Sequence, residues 1–283
     1  MQTDKNNIIL VPSDFTIIGD YAIDNAVKLA KDLQFGICVL HVINKATKKN
    51  LIKENKPIEH VNEKLIEITD KIKKDHNIEA DYVAREGSIF SVIADVASEI
   101  KANYVVIGTH GKKGIQFLLG SFALKVIKSS PVPIFVVQKP AEQQTVDNII
   151  FPLDLEEGSK QKVKWAIILH KQFNAKFHFY VNNQTDEFYQ NRIKADLNQV
   201  KKIFEKHNVP FTEQFSKRKL PYSKQVVDFA KSIGSDFLMI STDPDKTSIS
   251  PFGSSDERII YNQEKFPIMC INSQDLKILI GGL

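Results

Sequence analysis

Short apolar runs alternate along the chain with longer segments whose apolar residues recur at helical spacing. The first run, residues 7–14, reads NIILVPSD. A continuous β-branched run of this kind is typical of a strand buried on both faces of a parallel sheet. Residues 21–33 carry apolar side chains three and four positions apart, which predicts an amphipathic helix. Strands that alternate with helices in this way predict an α/β fold with a doubly wound parallel sheet.

The same series of patterns occurs twice in the same order, which predicts a tandem duplication. The opening NIILVPSD returns as NIIFPLD at residues 148–154, one residue shorter. Each half closes on a strand that begins near a proline, Pro133 or Pro267, where a missing N–H group is tolerated. The predicted strands are residues 7–14, 37–43, 80–85, 104–107 and 132–138, then 148–154, 176–181, 211–215, 236–241 and 266–272. The predicted helices are residues 21–33, 58–76, 88–100 and 122–128, then 161–173, 187–207 and 223–233.

The length of the chain also favours two domains. Its 283 residues are long for one compact α/β domain and suit two domains of about 140 residues each. The polar segment 139–147 contains Pro140 and is predicted to be the linker. We therefore predict a first domain at residues 1–140, a second at residues 147–275 and an apolar tail at residues 276–283.

Composition and charge exclude several classes of protein. Hydrophobic residues make up 42% and charged residues 25% of the chain, which is ordinary for a globular protein with a sizeable core. The net charge of +4 comes from lysines dispersed among acidic residues, so a nucleic-acid partner gains little support. The densest basic runs, residues 45–53 and 217–219, are predicted to be surface loops or helix starts, without interleaved aromatic residues for base stacking.

The two cysteines, Cys38 and Cys270, each lie inside an apolar strand pattern. This position predicts small buried side chains rather than a disulfide or a metal pair, and it fits a reducing compartment. We recognise no metal-ligand spacing among the histidines, and no run approaches the roughly 18 apolar residues of a membrane span. The expected location is therefore cytoplasmic, with no membrane partner.

A glycine-rich loop follows the fourth predicted strand. Gly108 ends that strand, and Gly111 allows main-chain N–H groups to approach a ligand closely. Gly120 and Ser121 are predicted to open the helix that continues from Phe122, where unsatisfied N–H groups and the helix dipole favour an anion. The loop carries two lysines and no acid. This order of parts predicts a phosphate-binding loop.

The arrangement resembles the universal stress protein family, whose signature is Gly-x-x-Gly, a loop of nine residues, and Gly-Ser or Gly-Thr at a helix start. Gly108-Thr109-His110-Gly111 and Gly120-Ser121 match this signature, with eight residues rather than nine between them. The resemblance covers nearly the whole chain as a tandem pair. It implies two five-stranded parallel sheets, each with strand order 3-2-1-4-5, and an adenine nucleotide, ATP or AMP, with Mg²⁺ arriving alongside it.

The resemblance also implies where that nucleotide lies, with Asp14 and Val42 near the base and the loop glycines and Ser121 around the phosphates. The residues agree with this assignment, because an aspartate at a strand end accepts hydrogen bonds from a ribose hydroxyl or an exocyclic amine. The alternative for Asp14 is an N-cap of the next helix. Val42 would act through its backbone, while His110 and His41 are interpreted as a hydrogen-bonding loop residue and a core or edge residue. The candidate binding residues are Pro12, Ser13, Asp14, Val42, Gly108, His110, Gly111, Gly120, Ser121 and Phe122.

The second half lacks the glycines of this loop. Residues 241–244 read Ser-Thr-Asp-Pro where residues 108–111 read Gly-Thr-His-Gly. Pro244 has no N–H group to offer a phosphate, and Asp243 and Asp245 would repel one. We therefore expect the second half not to bind ATP in the manner of the first, and to serve as a structural partner.

Three functions remain open at this point. The first is a nucleotide-binding regulatory protein without turnover, since no acid–base constellation and no Gly-Lys-Ser/Thr P-loop ending is found. The second is a nucleotide-independent scaffold or adaptor, and the third, with the least support, is a weak ATPase. The fold resemblance further implies pairing of fifth strands, either as an internal pseudo-dimer of residues 132–138 with 266–272 or between two chains.

Overall fold

The computed structural model describes residues 7–109, 117–142, 145–154, 162–217, 220–242 and 255–272, without the side chains of residues 117–122 and 255–256. The chain divides into two compact units, Met1–Gln143 and Gln144–Leu283. The division falls inside the segment predicted as the linker. The predicted tail, residues 276–283, lies outside the described residues.

The first unit is built on a parallel sheet. Its strands are β1 Ile8–Pro12, β2 Gly36–Ile43, β3 Ala80–Glu86, β4 Tyr104–Gly108 and β5 Ile134–Val137. They lie in the order β3-β2-β1-β4-β5, as the family resemblance implied, and each neighbouring pair is parallel. The central residues of β1 and β4 are buried, which agrees with the continuous apolar runs that predicted these strands.

The helices of the first unit pack on this sheet. They are α1 Ile17–Leu33, α2 Lys45–Lys53, α3 His60–His76, α4 Ile89–Glu99 and α5 Phe117–Ser129. The helix α1 starts four residues earlier than predicted and presents Ala22, Ala26 and Ala30 to the core, each at most 1% exposed. Small side chains on this face let the helix lie close to the sheet.

One prediction about these helices is incomplete and one is wrong. The basic run at residues 45–53, predicted as a loop or helix start, forms the whole of helix α2. The helix α5 begins at Phe117, so Gly120 and Ser121 lie inside it and do not open it. The physical reason is that a glycine within a helix costs only about 1 kcal/mol, and the preceding Phe117-Leu118-Leu119 segment continues the helical pattern.

The second unit repeats the architecture. Its strands are β6 Asn148–Leu153, β7 Lys176–Val181, β8 Phe211–Phe215, β9 Phe237–Thr242 and β10 Ile268–Asn272. They lie in the order β8-β7-β6-β9-β10 and are parallel. The helices described in this unit are α6 Lys162–Phe173, α7 Glu187–Lys206, α8 Tyr222–Ser232 and α9 Ser255–Ile260.

In both units the first and second strands pair in the same register at the carboxyl edge of the sheet. Pro12 pairs with Leu40 where β1 ends, and Pro152 pairs with Tyr180 at the corresponding point of β6 and β7. In each unit the first strand lies between the second and fourth strands, so the strand order reverses beside it. Open parallel sheets bind ligands at this point, beyond the carboxyl ends of the strands.

Cys38 and Cys270 are buried and neither forms a disulfide, as predicted. Among the helices that the structure describes, none combines the length and the apolar character needed to cross a bilayer.

Candidate functional site

A cleft of about 930 Å³ opens at the carboxyl edge of the first unit's sheet, where the strand order reverses. This volume lies within the roughly 300–1,000 Å³ typical of small-molecule sites. Its described walls come from the ends of β1, β2 and β4, from α2 and α5, and from the starts of α1, α3 and α4. Pro12, Ser13, Asp14, Val42 and Gly108 all lie on it, so the structure brings these five predicted site residues together.

The turn after β1 is stabilised by two side chains. Ser13 Oγ accepts a hydrogen bond from the Phe15 N–H group at 3.2 Å, and Asp14 Oδ1 accepts from both the N–H group and the hydroxyl of Thr16, at 3.1 and 2.6 Å. Thr16 is the N-cap of α1, and its Oγ1 accepts from the Gly19 N–H group at 3.5 Å. The alternative of Asp14 as the N-cap is therefore wrong, because Asp14 supports the residue that caps.

Asp14 has one carboxylate oxygen left for another partner. The residue is exposed, and within the described parts of the chain its Oδ2 makes no hydrogen bond. The two hydrogen bonds to Oδ1 hold the carboxylate in place, and Oδ2 stays available to a ligand in the cleft. This arrangement suits an acceptor for a ligand hydroxyl or amine.

Phe15 was not predicted from the sequence as a site residue. It adopts φ 61°, a left-handed conformation that is unusual for a bulky side chain. Its ring stacks on the imidazole of His41, with 4.2 Å between centroids and 11° between planes. Lys64 Nζ lies 5.2 Å from the centroid of the Phe15 ring. The strained residue thus packs its ring against His41 at the wall of the cleft.

His41 is buried and hydrogen-bonded at both ring nitrogens. Nδ1 lies 2.8 Å from the Ser13 carbonyl oxygen, and Nε2 lies 3.1 Å from Thr47 Oγ1. A carbonyl can only accept, so Nδ1 carries the hydrogen. Burial lowers the pKa of His41, against smaller opposing effects of the Ser13 hydrogen bond and the Asp14 charge. The ring is therefore neutral near pH 7, and its Nε2 accepts from the Thr47 hydroxyl.

The backbone of Val42 faces the cleft. The Ser13 N–H group donates to the Leu40 carbonyl at 2.8 Å, and the Gly87 N–H group donates to the Ile43 carbonyl at 3.2 Å. Backbone groups of successive strand residues point to opposite neighbours, so those of Val42 point to the same side as those of Leu40, beyond the end of β1. The Val42 carbonyl oxygen lies 3.3 Å from Thr47 Oγ1, whose hydrogen is donated to His41 Nε2, and the Val42 N–H group has no partner among the described residues. The Val42 side chain is buried, as expected for a core residue.

Gly108 is required by packing at the end of β4. A Cβ at this position would lie 2.3 Å from the Ile18 carbonyl oxygen and 2.6 Å from Ile18 Cγ2. The close approach of α1 to the strand end therefore explains this glycine without a ligand.

The predicted phosphate side of the site is described only in part. His110 and Gly111 lie outside the described residues, and Gly120, Ser121 and Phe122 are described only as backbone within α5. On the described walls, Lys45 and Lys64 bring positive charge, while Asp14 and Glu54 bring negative charge. The cleft is therefore mixed in charge.

The corresponding point of the second unit is occupied by a tyrosine. The Tyr222 hydroxyl lies 2.5 Å from the Tyr180 carbonyl oxygen and 3.2 Å from that of Leu153, and it donates to these strand ends. Burial raises the pKa of Tyr222 well above its ordinary value, so the hydroxyl keeps its proton. The Tyr180 and Tyr222 rings stack with 5.9 Å between their centroids. Sequence reasoning missed this residue, since no local pattern indicates that it reaches the strand ends.

The fold and the cleft place the first unit among doubly wound α/β domains with a ligand crevice at the carboxyl edge of the sheet. Residues 5–138 match the model of the universal stress protein family. A universal stress protein of Methanocaldococcus jannaschii is 25% identical over 142 residues, which cover 48% of this chain and 84% of that protein. The first unit is therefore similar in sequence to universal stress proteins.

Solved structures extend the likeness of fold to both units. A universal stress protein from Archaeoglobus fulgidus matches with a TM-score of 0.76 at 16% identity, over 95% of this chain and 99% of that chain. A functionally unknown protein from Pseudomonas aeruginosa matches with a TM-score of 0.63 at 13% identity, over 96% of this chain and 95% of that chain. At these identities the likeness concerns the fold alone.

Proposed function

We propose that the first unit binds an adenine nucleotide, ATP or AMP, in the cleft at the end of β1, and that binding regulates the protein without turnover. One observation carries the proposal: two polar groups without partners among the described residues, Asp14 Oδ2 and the Val42 N–H group, lie on the walls of the same cleft. Clefts that combine an apolar lining with a few such groups are typical ligand sites.

The chemistry of these groups matches an adenosine. The adenine edge presents an amine donor beside a ring-nitrogen acceptor, and the Val42 carbonyl and N–H group offer the complementary acceptor and donor. A carboxylate such as Asp14 accepts from a ribose hydroxyl, and a hydrogen bond to a charged group contributes about 1.5–3 kcal/mol. The nucleotide's phosphates would extend towards α5, with Mg²⁺ bound by the phosphates. The part of the chain that the structure describes holds no group of three or more His, Cys, Asp or Glu side chains suited to a metal ion.

The buried histidine on the described walls favours binding over turnover. Both ring nitrogens of His41 are engaged. General-base catalysis needs a group within reach of the reacting proton, and His41 has no free nitrogen to supply one. We therefore propose a nucleotide-responsive protein rather than an ATPase.

The test combines identification of bound ligands with titration. Small molecules released from the acid-denatured protein are identified by mass spectrometry, and ATP–Mg²⁺ and AMP are titrated calorimetrically into the wild type, Asp14→Asn and Asp154→Asn. We expect one adenine nucleotide per chain, about 10- to 100-fold weaker binding by Asp14→Asn, and unchanged binding by the matched variant Asp154→Asn. ADP release, followed by chromatography, should not exceed the rate without protein.

Absence of both a co-purified nucleotide and binding heat would contradict the proposal and favour the nucleotide-independent scaffold. Equal losses in the two aspartate variants would contradict the assignment to the first unit. The pseudo-dimer of the two units and the homodimer remain predictions. Sedimentation equilibrium of the full chain decides whether two chains associate.

A further inference from the structure

The two units differ in one backbone hydrogen bond at the end of their first strand. Because Pro12 pairs with Leu40 and Pro152 pairs with Tyr180, Val42 and Asn182 occupy equivalent positions two residues farther along the second strand. In the second unit the Asn182 N–H group donates to the Leu153 carbonyl at 2.8 Å. This bond continues the parallel ladder past the end of the strand.

The first unit does not form the equivalent bond. Within its described residues, the Val42 N–H group makes no hydrogen bond to the Ser13 carbonyl. That carbonyl accepts instead from His41 Nδ1 at 2.8 Å. The counterpart of His41 in the second unit is Val181, whose side chain cannot donate a hydrogen bond.

We propose that His41 is a positioning residue that diverts the Ser13 carbonyl from the strand ladder and so keeps the Val42 N–H group free for a ligand's base. A carbonyl oxygen can accept two hydrogen bonds, so the imidazole does not exclude the Val42 N–H group by using up the acceptor. It acts instead through the orientation of the Ser13 carbonyl. The hydrogen bond to the imidazole orients the Ser13 carbonyl away from the Val42 N–H group. In the second unit the equivalent carbonyl, that of Leu153, points to the Asn182 N–H group. This inference rests on the proposed nucleotide site and gives that site its donor.

The imidazole is well placed to hold this direction. It is 5% exposed, so its bond to the Ser13 carbonyl is shielded from water. The Thr47 hydroxyl on Nε2 fixes the tautomer in which Nδ1 donates. The stacked ring of Phe15 fixes the imidazole plane. The strain at Phe15 therefore serves the orientation of His41.

The direct test is amide hydrogen exchange of the nucleotide-free wild type, measured by NMR, with Val42 and Asn182 compared in the same sample. We expect the Val42 amide to exchange at least about tenfold faster than the hydrogen-bonded Asn182 amide. Adding ATP–Mg²⁺ should slow exchange at Val42 and leave Asn182 unchanged. A Val42 amide already as protected as Asn182 without nucleotide would overturn the inference.

Three variants test the role of the imidazole. His41→Val copies the second unit, and we expect it to slow Val42 exchange about tenfold without nucleotide and to weaken nucleotide binding by about the same factor. His41→Asn can keep a donor near the Nδ1 position and should restore rapid exchange. The matched control is His178→Val, which removes a buried histidine bonded to Thr212 and Asn148 in the second unit and should leave Val42 unchanged.

The outcomes separate this inference from the proposed function. If His41→Val leaves Val42 exchange unchanged, His41 has no positioning role, whatever the protein binds. If wild-type Val42 exchanges rapidly and His41→Val protects it, but no adenine nucleotide binds, the positioning role stands and the identity of the ligand is wrong.

Discussion

The carboxyl edges of the two sheets have the same strand order and register, but different side chains lie beyond the strand ends. In the first unit the strand ends open onto a cleft of about 930 Å³, with Ile89 among its lining residues as the first residue of α4. In the second unit the first residue of the equivalent helix α8 is Tyr222, and its hydroxyl bonds to the strand-end carbonyls. A single side chain at a helix start thus fills the position that the first unit leaves open to a ligand.

The difference continues one turn along the same two helices. Three residues after Tyr222, the Gln225 Oε1 accepts from the Tyr180 hydroxyl at 3.2 Å and from the Lys217 N–H group at 2.7 Å. Its Nε2 donates to the carbonyls of Lys217 and Leu220, both at 2.8 Å. The equivalent residue in the first unit is the apolar Val92. The second unit therefore uses polar contacts to stabilise itself where the first has polar groups without partners.

The largest expected effect comes from making the fourth strand of the first unit like that of the second. Gly108→Ser places a Cβ about where the Ile18 carbonyl lies, and backbone cannot move aside as a flexible side chain can. We expect a loss of about 3 kcal/mol or more in the stability of the first unit. Peptide-resolved hydrogen exchange measures each unit separately, which suits a chain of two units.

The reciprocal change, Ser241→Gly, is the control. Its position in β9 corresponds to Gly108, and the second unit accommodates a side chain there. We expect it to cost only about 1 kcal/mol, and only in the second unit. If Gly108→Ser were no more damaging than Ser241→Gly, the close packing of α1 against β4 would not be what requires the glycine.

The next largest effect is expected at alkaline pH, where the first unit should lose stability. Burial, with a smaller contribution from Asp81, raises the pKa of the Cys38 thiol from 9.0 to about 11. The neutral thiol is favoured in the folded unit. Its contribution to the free energy of unfolding is therefore complete below pH 9 and is lost as the pH rises from 9 to about 11. The loss at the top of this range should be about 2–3 kcal/mol.

Urea unfolding followed by circular dichroism at several pH values measures this loss. Cys38→Ala should flatten the pH dependence between pH 9 and 11, while Cys270→Ala, in the second unit, should leave the first unit's dependence in place. Identical pH profiles for the wild type and Cys38→Ala would show that the thiol does not cause the loss.

A somewhat smaller effect is expected from Tyr222→Phe. The change keeps the ring and removes the hydroxyl from the Tyr180 and Leu153 carbonyls, which leaves buried acceptors without this donor. We expect the second unit to lose about 1–3 kcal/mol. Trp165, the one tryptophan in the sequence, lies in this unit and reports its urea unfolding by fluorescence.

Tyr189→Phe is the matched control, because Tyr189 is 44% exposed on α7 of the same unit. It should leave the fluorescence midpoint unchanged. A Tyr222→Phe midpoint equal to that of the wild type would mean that the hydroxyl contributes nothing to closing the strand ends.

The sequence predicted the elements whose residues are buried on both sides. The strand β7 begins and ends where its pattern predicted, because a buried strand in a parallel sheet needs a nearly continuous run of apolar residues. The strand order came from the family resemblance and not from the patterns. Asp14 and Val42 also came from that resemblance, and both stand near strand ends, where parallel sheets bind ligands.

The features missed by the sequence analysis depend on contacts between distant residues. Tyr222 reaches carbonyls that are 42 and 69 residues away along the chain. Thr16 rather than Asp14 caps α1, and both side chains are good caps, so the choice depends on the left-handed conformation of the residue between them. No periodicity in the sequence records such a choice.

The smallest predicted effect concerns α2, an element without a counterpart in the second unit, where residues 182–186 lead directly from β7 to α7. This helix has no buried residue, so no hydrophobic pattern indicated it. Its N-cap Asn44 accepts from the N–H groups of Ala46 and Thr47 at 2.8 and 3.0 Å. Asn44→Ala should therefore destabilise the helix locally by about 1 kcal/mol and speed its amide exchange about fivefold.

The stability of the whole first unit should hardly change in this variant, because α2 buries nothing in the core. Ser88→Ala is the control, since Ser88 is the N-cap residue of α4 but its side chain makes no capping bond. Unchanged exchange in α2 after Asn44→Ala would contradict a cap-dependent helix. Faster exchange in α2 together with weaker nucleotide binding would link this helix to the site, because it carries the Thr47 hydroxyl that fixes the His41 tautomer.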